Sequence, residues 1–383
     1  MKIREVRTTP VNVDYREPER WSQGHRLGIT GIVVEIETDK GLVGLGESVP
    51  APSPEVTIAA IKSVVPQLVG RDPRQVTQRW RDLQTVGGFG AFPHTGNAAL
   101  AGIEIACWDL IGKSLGVPVH ALLGGRVRDH VEFMAFVPYH PDTRRIEAEA
   151  RKFAAEGYRT LYIKGGFGEE KDLAAMEAMR LGGGPGKLLR IDPNENWTGD
   201  VAVRMVHALA NFDIQYIEQP TRLDRLEEMA LLRRRSPIPI AANQASWLNH
   251  NILDIVATGA ADVVMTDPWQ AGGLRAFHTA AGLCEIAGVP LVYHSFAPLS
   301  IGTRAVMQVL ASSTACNYAH QTYHQMLVDD VVKEPVRHPG GIEPVDDRPG
   351  IGAELDPRKM KAAHERYLKQ GYLSAYAEEE ERP

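Results

Sequence analysis

Between residues 131 and 293 the chain repeats one unit: a short, largely apolar run, then a longer stretch with helical charge patterning. The runs are Val131–Val137, Thr160–Ile163, Leu188–Ile191, Ile214–Ile217, Ile238–Ala242, Ala261–Thr266 and Pro290–Tyr293. Stretches such as Arg144–Glu156, Gly199–Asn211 and Ala271–Ala287 have helical length. Apolar runs without alternation are strands buried on both faces, as in a parallel sheet covered by helices. Seven such strands, with a weaker eighth near Cys316–Tyr318, suit a closed barrel. The alternative is an open doubly wound sheet, which would carry a glycine-rich phosphate turn after its first strand. Val131–Val137 leads into Pro138-Tyr139-His140-Pro141 instead.

The residues that close these runs are polar. Lys164, Asp192, Glu218, Asn243, Asp267 and His294 follow the second to seventh runs, at spacings of 28, 26, 25, 24 and 27. In a barrel, side chains at the carboxyl ends of strands face the active site. Any one of them alone reads as a helix cap, a turn residue, a core histidine or a solvated charge. Together they place three oxygen ligands on consecutive strands, flanked by two proton-transfer groups. Two carboxylates and an amide oxygen make a hard site with positions left open, which suits Mg²⁺. Such an ion would hold a substrate carboxylate and stabilise the dianion formed when the neighbouring carbon loses its proton. Lys164 and His294 approach from opposite sides of the mouth, and either is a candidate base. Nearby cationic charge is expected to lower the Lys164 pKa. Asp267 is placed to accept a hydrogen bond from the His294 ring and fix its tautomer.

Ahead of the barrel lies a compact α+β pattern. Ile32–Thr38 reads as a strand, Asp39-Lys40-Gly41 as a turn and Leu42–Leu45 as the returning strand. Helical patterns cover Ser53–Val69 and Thr95–Leu115, the second closed by Gly116-Val117-Pro118. A further helix is predicted over Pro357–Gln370, and the acidic residues Ala377–Pro383 are expected to be disordered. The net charge of −6 comes without long charge blocks, so nucleic acid is not a favoured partner. No run of about 18 apolar residues is present to span a membrane. The opening MKIREVRTTPVNV lacks an apolar signal region, and the three scattered cysteines suggest no disulfide framework, so the expected compartment is the cytoplasm.

These residues resemble the enolase superfamily, in particular its mandelate racemase-like and glucarate dehydratase-like members, and the resemblance covers nearly the whole chain. GIVVEIETDKGLVGLGES is similar to the family's capping-domain hairpin, and AGIEIACWDLIGKSLGVPVHALLGG to the helix leading into its barrel. YIKGG, DPNENW, YIEQP, TDPWQAGGL and VYHSF match its barrel motifs. The resemblance implies an N-terminal α+β capping domain (1–125, completed by 346–383) and a modified (β/α)₇β TIM-like barrel over 126–345. It implies one Mg²⁺ per subunit, ligated by Asp192, Glu218 and Asn243, with Lys164 and His294–Asp267 as proton-transfer groups. It further implies a small carboxylate substrate and an even-numbered homo-oligomer, a dimer or octamer.

Three departures from the pattern stand out. The first lysine of the family's Lys-x-Lys is Tyr162, which leaves only Lys164 as acid or base and Tyr162 to orient a carboxylate or bind a substrate hydroxyl. The third ligand is Asn243, as in the glucarate dehydratase pattern, with Gln244 a competing candidate. Where racemase-type relatives place a glutamate after the last strand, NYAHQTYH offers His320 or Gln321. Asn194 matches a substrate-facing position. Substrate selection is expected from two capping loops, Tyr15–Leu27 with Trp21, His25 and Arg26, and Ser48–Pro54.

The leading expectation is dehydration of a sugar acid to a 2-keto-3-deoxy acid. Racemisation or epimerisation at the α-carbon is the close rival, and cycloisomerisation a third. A barrel that binds a ligand without catalysis is a remote alternative.

Overall fold

The structure is a computed structural model, and it describes residues 1–373. The expectation of disorder over Ala377–Pro383 therefore lies outside the described residues.

Three antiparallel strands open the chain: β1 (Ile3–Trp21), β2 (Gly24–Thr38) and β3 (Val43–Ser48), in the order β1-β2-β3. β1 and β2 form one long hairpin whose tip is Ser22-Gln23, so the segment Tyr15–Leu27 is a hairpin end and not the loop expected from sequence. The helix Pro93–Leu115 lies directly on β3. A Cβ at Gly46 would stand 2.0 Å from the Gly102 carbonyl oxygen, and one at Gly44 2.2 Å from that of Ala106. This close approach is the physical reason for glycine at both positions of GLVGLGES. Asp109 of the same helix is fully buried and accepts from Leu45 N at 2.8 Å and Ile351 N at 3.0 Å. The helix Pro357–Gln370 packs on β1, with His364 Nδ1 2.7 Å from the Pro10 carbonyl and Arg366 donating to that of Asn12.

The run Val131–Val137 divides in two. β4 (His130–Glu132) pairs antiparallel with β12 (Ile342–Pro344), and β5 (Ala135–Val137) starts the barrel. β6 (Thr160–Lys164), β7 (Leu188–Asp192), β8 (Ile214–Glu218), β9 (Ile240–Ala242), β10 (Val263–Thr266) and β11 (Leu291–Tyr293) follow. All are parallel, in the order β11-β10-β9-β8-β7-β6-β5. The eighth position is a segment without a regular strand, held by one isolated bridge between Phe133 and His320 and a few further bonds. Leu291 N donates to Ala315 O, Gln321 N to Tyr293 O and Met134 N to His320 O. The fold is thus a modified (β/α)₇β barrel behind an N-terminal α+β capping domain.

Strand side chains alternate with period two, so the residues two before each strand-end group fill the barrel beneath it. Tyr216, Ala241, Met265 and Val292 pack there with Val263. Arg190 lies in the same layer, over the Tyr216 ring at 4.4 Å, and donates to the Ala319 carbonyl at 2.6 Å. No helix among the described residues is long and apolar enough to cross a membrane.

Candidate active site

The strands deliver the six residues to one end of the barrel. Lys164, Asp192 and Glu218 are the last residues of β6, β7 and β8. Asn243, Asp267 and His294 each stand one residue past β9, β10 and β11. β6 and β11 are five strands apart in the sheet, which puts Lys164 and His294 on opposite sides of the mouth.

Asp192 is the hub. Its Oδ2 accepts from Lys164 Nζ at 2.7 Å, Tyr162 OH at 2.8 Å and Asn194 Nδ2 at 2.9 Å, and its Oδ1 accepts from Asn194 N at 2.8 Å. Glu218 is the opposite case. Both its carboxylate oxygens are buried, and neither has a hydrogen-bond partner among the described residues. Burial first, and the charge of Asp192 second, push its pKa well above the ordinary carboxylate range. A buried carboxylate without donors is costly, and a cation between it and Asp192 would relieve that cost. No group of three His, Cys, Asp or Glu side chains gathers to hold a metal among the described residues. The candidate set is instead the two carboxylates and an amide. Asn243 donates from Nδ2 to the Met265 carbonyl at 3.4 Å, and its backbone N–H is fixed by Gln219 Oε1 at 2.9 Å. The Gln244 Oε1 is buried and without a partner among the described residues, which keeps it in contention as the third oxygen.

Lys164 departs from expectation. Burial lowers its pKa, but Asp192, Glu218 and Glu19 outweigh that, and the net shift is upward. The reason is composition: the charges that face the ammonium are carboxylates. On the far side, His294 Nδ1 lies 2.8 Å from Asp267 Oδ2, while Oδ1 of the same carboxylate caps the turn at Trp269 N and Gln270 N. One carboxylate therefore orients the ring and is itself held rigid. The non-glycine residues Asn194 and Glu195, at φ 48° and 65°, lie two and three residues after Asp192, and Gln219, at φ 34°, directly follows Glu218. Left-handed backbone at such positions is a mark of functional constraint.

The capping hairpin reaches this mouth. Gln23 Nε2 donates to the Asn194 carbonyl at 3.0 Å. Arg26 donates to the buried Glu19 through Nε at 2.8 Å, and its guanidinium lies 5.7 Å from the Trp21 ring and 5.5 Å from that of Tyr323. Arg26 is thus already paired, and Trp21 is part of its cradle. His25 stands opposite Arg20 in the hairpin register and is buried. His320 is not at the mouth. It is buried in the barrel wall, its Nδ1 accepts from Tyr293 N at 3.0 Å, and burial lowers its pKa to about 3. Gln321 is likewise committed, to Ser295 N at 2.8 Å. The residue of that segment that joins the hairpin cluster is Tyr323, a position missed in the sequence.

Family models match the two parts of the chain. Residues 3–124 match "Mandelate racemase / muconate lactonizing enzyme, N-terminal domain", and residues 145–359 match "Enolase C-terminal domain-like". The chain belongs to the enolase superfamily. A "Probable glucarate dehydratase" of Streptomyces coelicolor is 30% identical, covering 96% of this chain and 92% of that protein. A D-galactarolactone cycloisomerase of Agrobacterium fabrum is also 30% identical, over 85% of this chain and 89% of that one. A solved enolase from Thermobispora bispora, complexed with magnesium and formate, superposes with a TM-score of 0.89 at 31% identity, covering 98% of this chain and 95% of that one. Superfamily relatives at about this identity carry dehydratase, racemase, epimerase and cycloisomerase names.

Glu19 is the other residue missed in the sequence. It faces Arg26 only because the hairpin register pairs the two, and that register depends on the two-residue tip. A charge pair flanking a short polar turn was the signal available.

Proposed function

We propose that this protein abstracts the proton next to a substrate carboxylate, with Mg²⁺ held by Asp192, Glu218 and Asn243, and that it completes the dehydration of a sugar acid to a 2-keto-3-deoxy acid. The observation that carries the reading is Glu218, a buried carboxylate with no partner beside Asp192. When bound, Mg²⁺ supplies the concentrated positive charge that holds a carboxylate and stabilises an enediolate.

The chain's own groups do the rest. Lys164 is held as an ammonium by the carboxylates around it. Once a cation offsets their charge it would be free to lose that proton and, as the neutral amine, to take the α-proton on one face. His294, as imidazolium held by Asp267, gives a proton to the departing β-hydroxyl, which leaves as water. The resulting enol tautomerises to the 2-keto acid. Tyr162 and Asn194 hold Asp192 in place from two sides. The two proton-transfer roles exchange with substrate stereochemistry. The Arg26–Glu19 pair offers both donors and acceptors, the mixture that hydroxyl-rich substrates need.

Isomerisation is the second reading, favoured by the placement of Lys164 and His294 on opposite sides of the mouth. Deprotonation by one and reprotonation by the other inverts the α-carbon without loss of hydroxyl. The test is a panel of aldonic and aldaric acids with enzyme and Mg²⁺, assayed for 2-keto acid and, in heavy water, for α-deuterium. Keto acid formation marks the dehydratase and deuterium without hydroxyl loss the isomerase. Neither signal from any acid, with Mg²⁺ bound, rules the reading out.

A further inference from the structure

Between the capping domain and the outer helices of the barrel lies a cleft of about 330 Å³ that the proton-transfer chemistry does not use. Four helices wall it: Val76–Thr85 with Trp80, Pro93–Leu115 with Asn97, Asn249–Thr258 with Asn249, and Leu274–Ala287 with Arg275. Among the described residues no Asp or Glu lines it, and Arg275 is its sole Lys or Arg.

The walls are fixed by hydrogen bonds across the domain boundary. Trp80 Nε1 donates to the Gly272 carbonyl at 2.8 Å, and Asn97 Nδ2 to that of Gln270 at 2.6 Å. The Arg275 guanidinium lies over the Trp80 ring at 4.4 Å. Its Nε is buried and without a hydrogen-bond partner among the described residues. The carboxylate whose charge it feels, Glu104, is engaged by the backbone instead, accepting from Leu274 N and Arg275 N. Asn249 Nδ2 donates to the Ala276 carbonyl at 2.9 Å, which fixes the amide, and its Oδ1 is left buried without a partner among the described residues. The backbone N–H groups of Asn249 and His250, at the start of their helix, have no intrahelical acceptor.

These groups select one kind of occupant. Stacking on the indole holds the guanidinium fork flat and leaves its donors for an oxyanion. The N–H groups at the helix start add positive potential. The unpaired Asn249 oxygen requires a donor, which a hydroxyl supplies and a bare ion does not. The volume, at the lower end of ligand pockets, suits a small metabolite.

We propose that this interdomain cleft binds a small hydroxylated oxyanion, with its carboxylate or phosphate on Arg275 and a hydroxyl donating to Asn249 Oδ1. The occupant touches both domains and holds them together. The site is independent of the reaction proposed above.

The test is calorimetric titration of the Mg²⁺-loaded protein with glycerol 3-phosphate, 2,3-dihydroxypropanoate, inorganic phosphate and glycerol. Saturable binding of one or both hydroxylated anions is expected, and none of glycerol. Arg275→Met keeps an apolar stem on Trp80 but removes the donors, and should weaken the bound anion roughly 10- to 100-fold. Arg275→Lys should recover part of that loss. Asn249→Ala should weaken the hydroxylated anion but not inorganic phosphate, and it serves if the arginine variants do not fold. Only binding that the variants weaken is counted, which sets aside acid held at the barrel mouth. Such binding by glycerol 3-phosphate alone marks a phosphate ligand, and by 2,3-dihydroxypropanoate alone a carboxylate. No saturable binding of either at millimolar concentration, equal binding of glycerol, or binding that every variant leaves unchanged overturns the site.

Discussion

Lys164 Nζ stands 2.7 Å from Asp192 Oδ2, and the two residues are Cα partners across neighbouring parallel strands. The last residues of β6 and β7 thus sit in register, so a proton-transfer amine and a candidate ligand share one oxygen. The ammonium therefore competes with any cation for the charge of Asp192. Lys164→Met should cut α-proton exchange roughly 10²- to 10⁴-fold while Mg²⁺ affinity holds or rises. Exchange kinetics and calorimetric Mg²⁺ titration of the same variant check both halves.

Asp267 holds His294 through Oδ2 and its own turn through Oδ1. In Asp267→Asn the oxygen can keep the turn, but the amide then donates to His294 Nδ1 and disfavours the imidazolium. A loss of roughly 10- to 100-fold in kcat is expected, with Mg²⁺ affinity unchanged. The pH profile of kcat should lose its His-dependent limb; an unchanged profile would show that Asp267 serves only the turn.

Stability should depend on Asp109, the buried acceptor for Leu45 N and Ile351 N and the partner of Lys113 Nζ at 2.6 Å. Asp109→Ala leaves two buried backbone donors unpaired, each worth about 1–3 kcal/mol. Urea unfolding should lose about 3 kcal/mol or more. A loss under about 1 kcal/mol would mean water replaces the carboxylate.

Glu47 gives a pH dependence. Burial raises its pKa from the ordinary 4.5 to about 8, against the opposing hydrogen bonds from Leu299 N and Gly302 N. In the folded chain it keeps its proton through a range where the unfolded chain has released it. Folding then takes up a proton, so this contribution to stability is full below about 4.5 and is lost as pH rises toward about 8. Unfolding midpoints at pH 5 and 8 should show the decline, and Glu47→Gln should flatten it.

The placement of the six polar residues was legible because period-two strands put one residue of each run at the mouth, and the polar closers stand out against apolar runs. Lys164, Asp192, Glu218, Asn243, Asp267 and His294 all come to that end of the barrel. The capping hairpin was only half legible. β2 is apolar and central, whereas β1 is an edge strand, polar and carrying Pro10 and Pro18, which edges tolerate. The eighth barrel position, expected near Cys316–Tyr318, falls in the segment Ala315–Gln321, but no regular strand forms there. A few bonds from Leu291, Met134, His320 and Gln321 fix it, so its register was open. The choice fell on His320 or Gln321, both committed to the barrel wall, and not on Tyr323, which joins the capping hairpin. The upward Lys164 shift of the metal-free chain was not legible because sequence does not show that its facing charges are carboxylates.

Calorimetric titration of Mg²⁺ into the wild type and Glu218→Gln tests the central claim most directly. The account predicts one ion per chain in the wild type and an affinity lower by roughly 100-fold or more in the variant. Equal Mg²⁺ binding by the two proteins, or none by either, would contradict it.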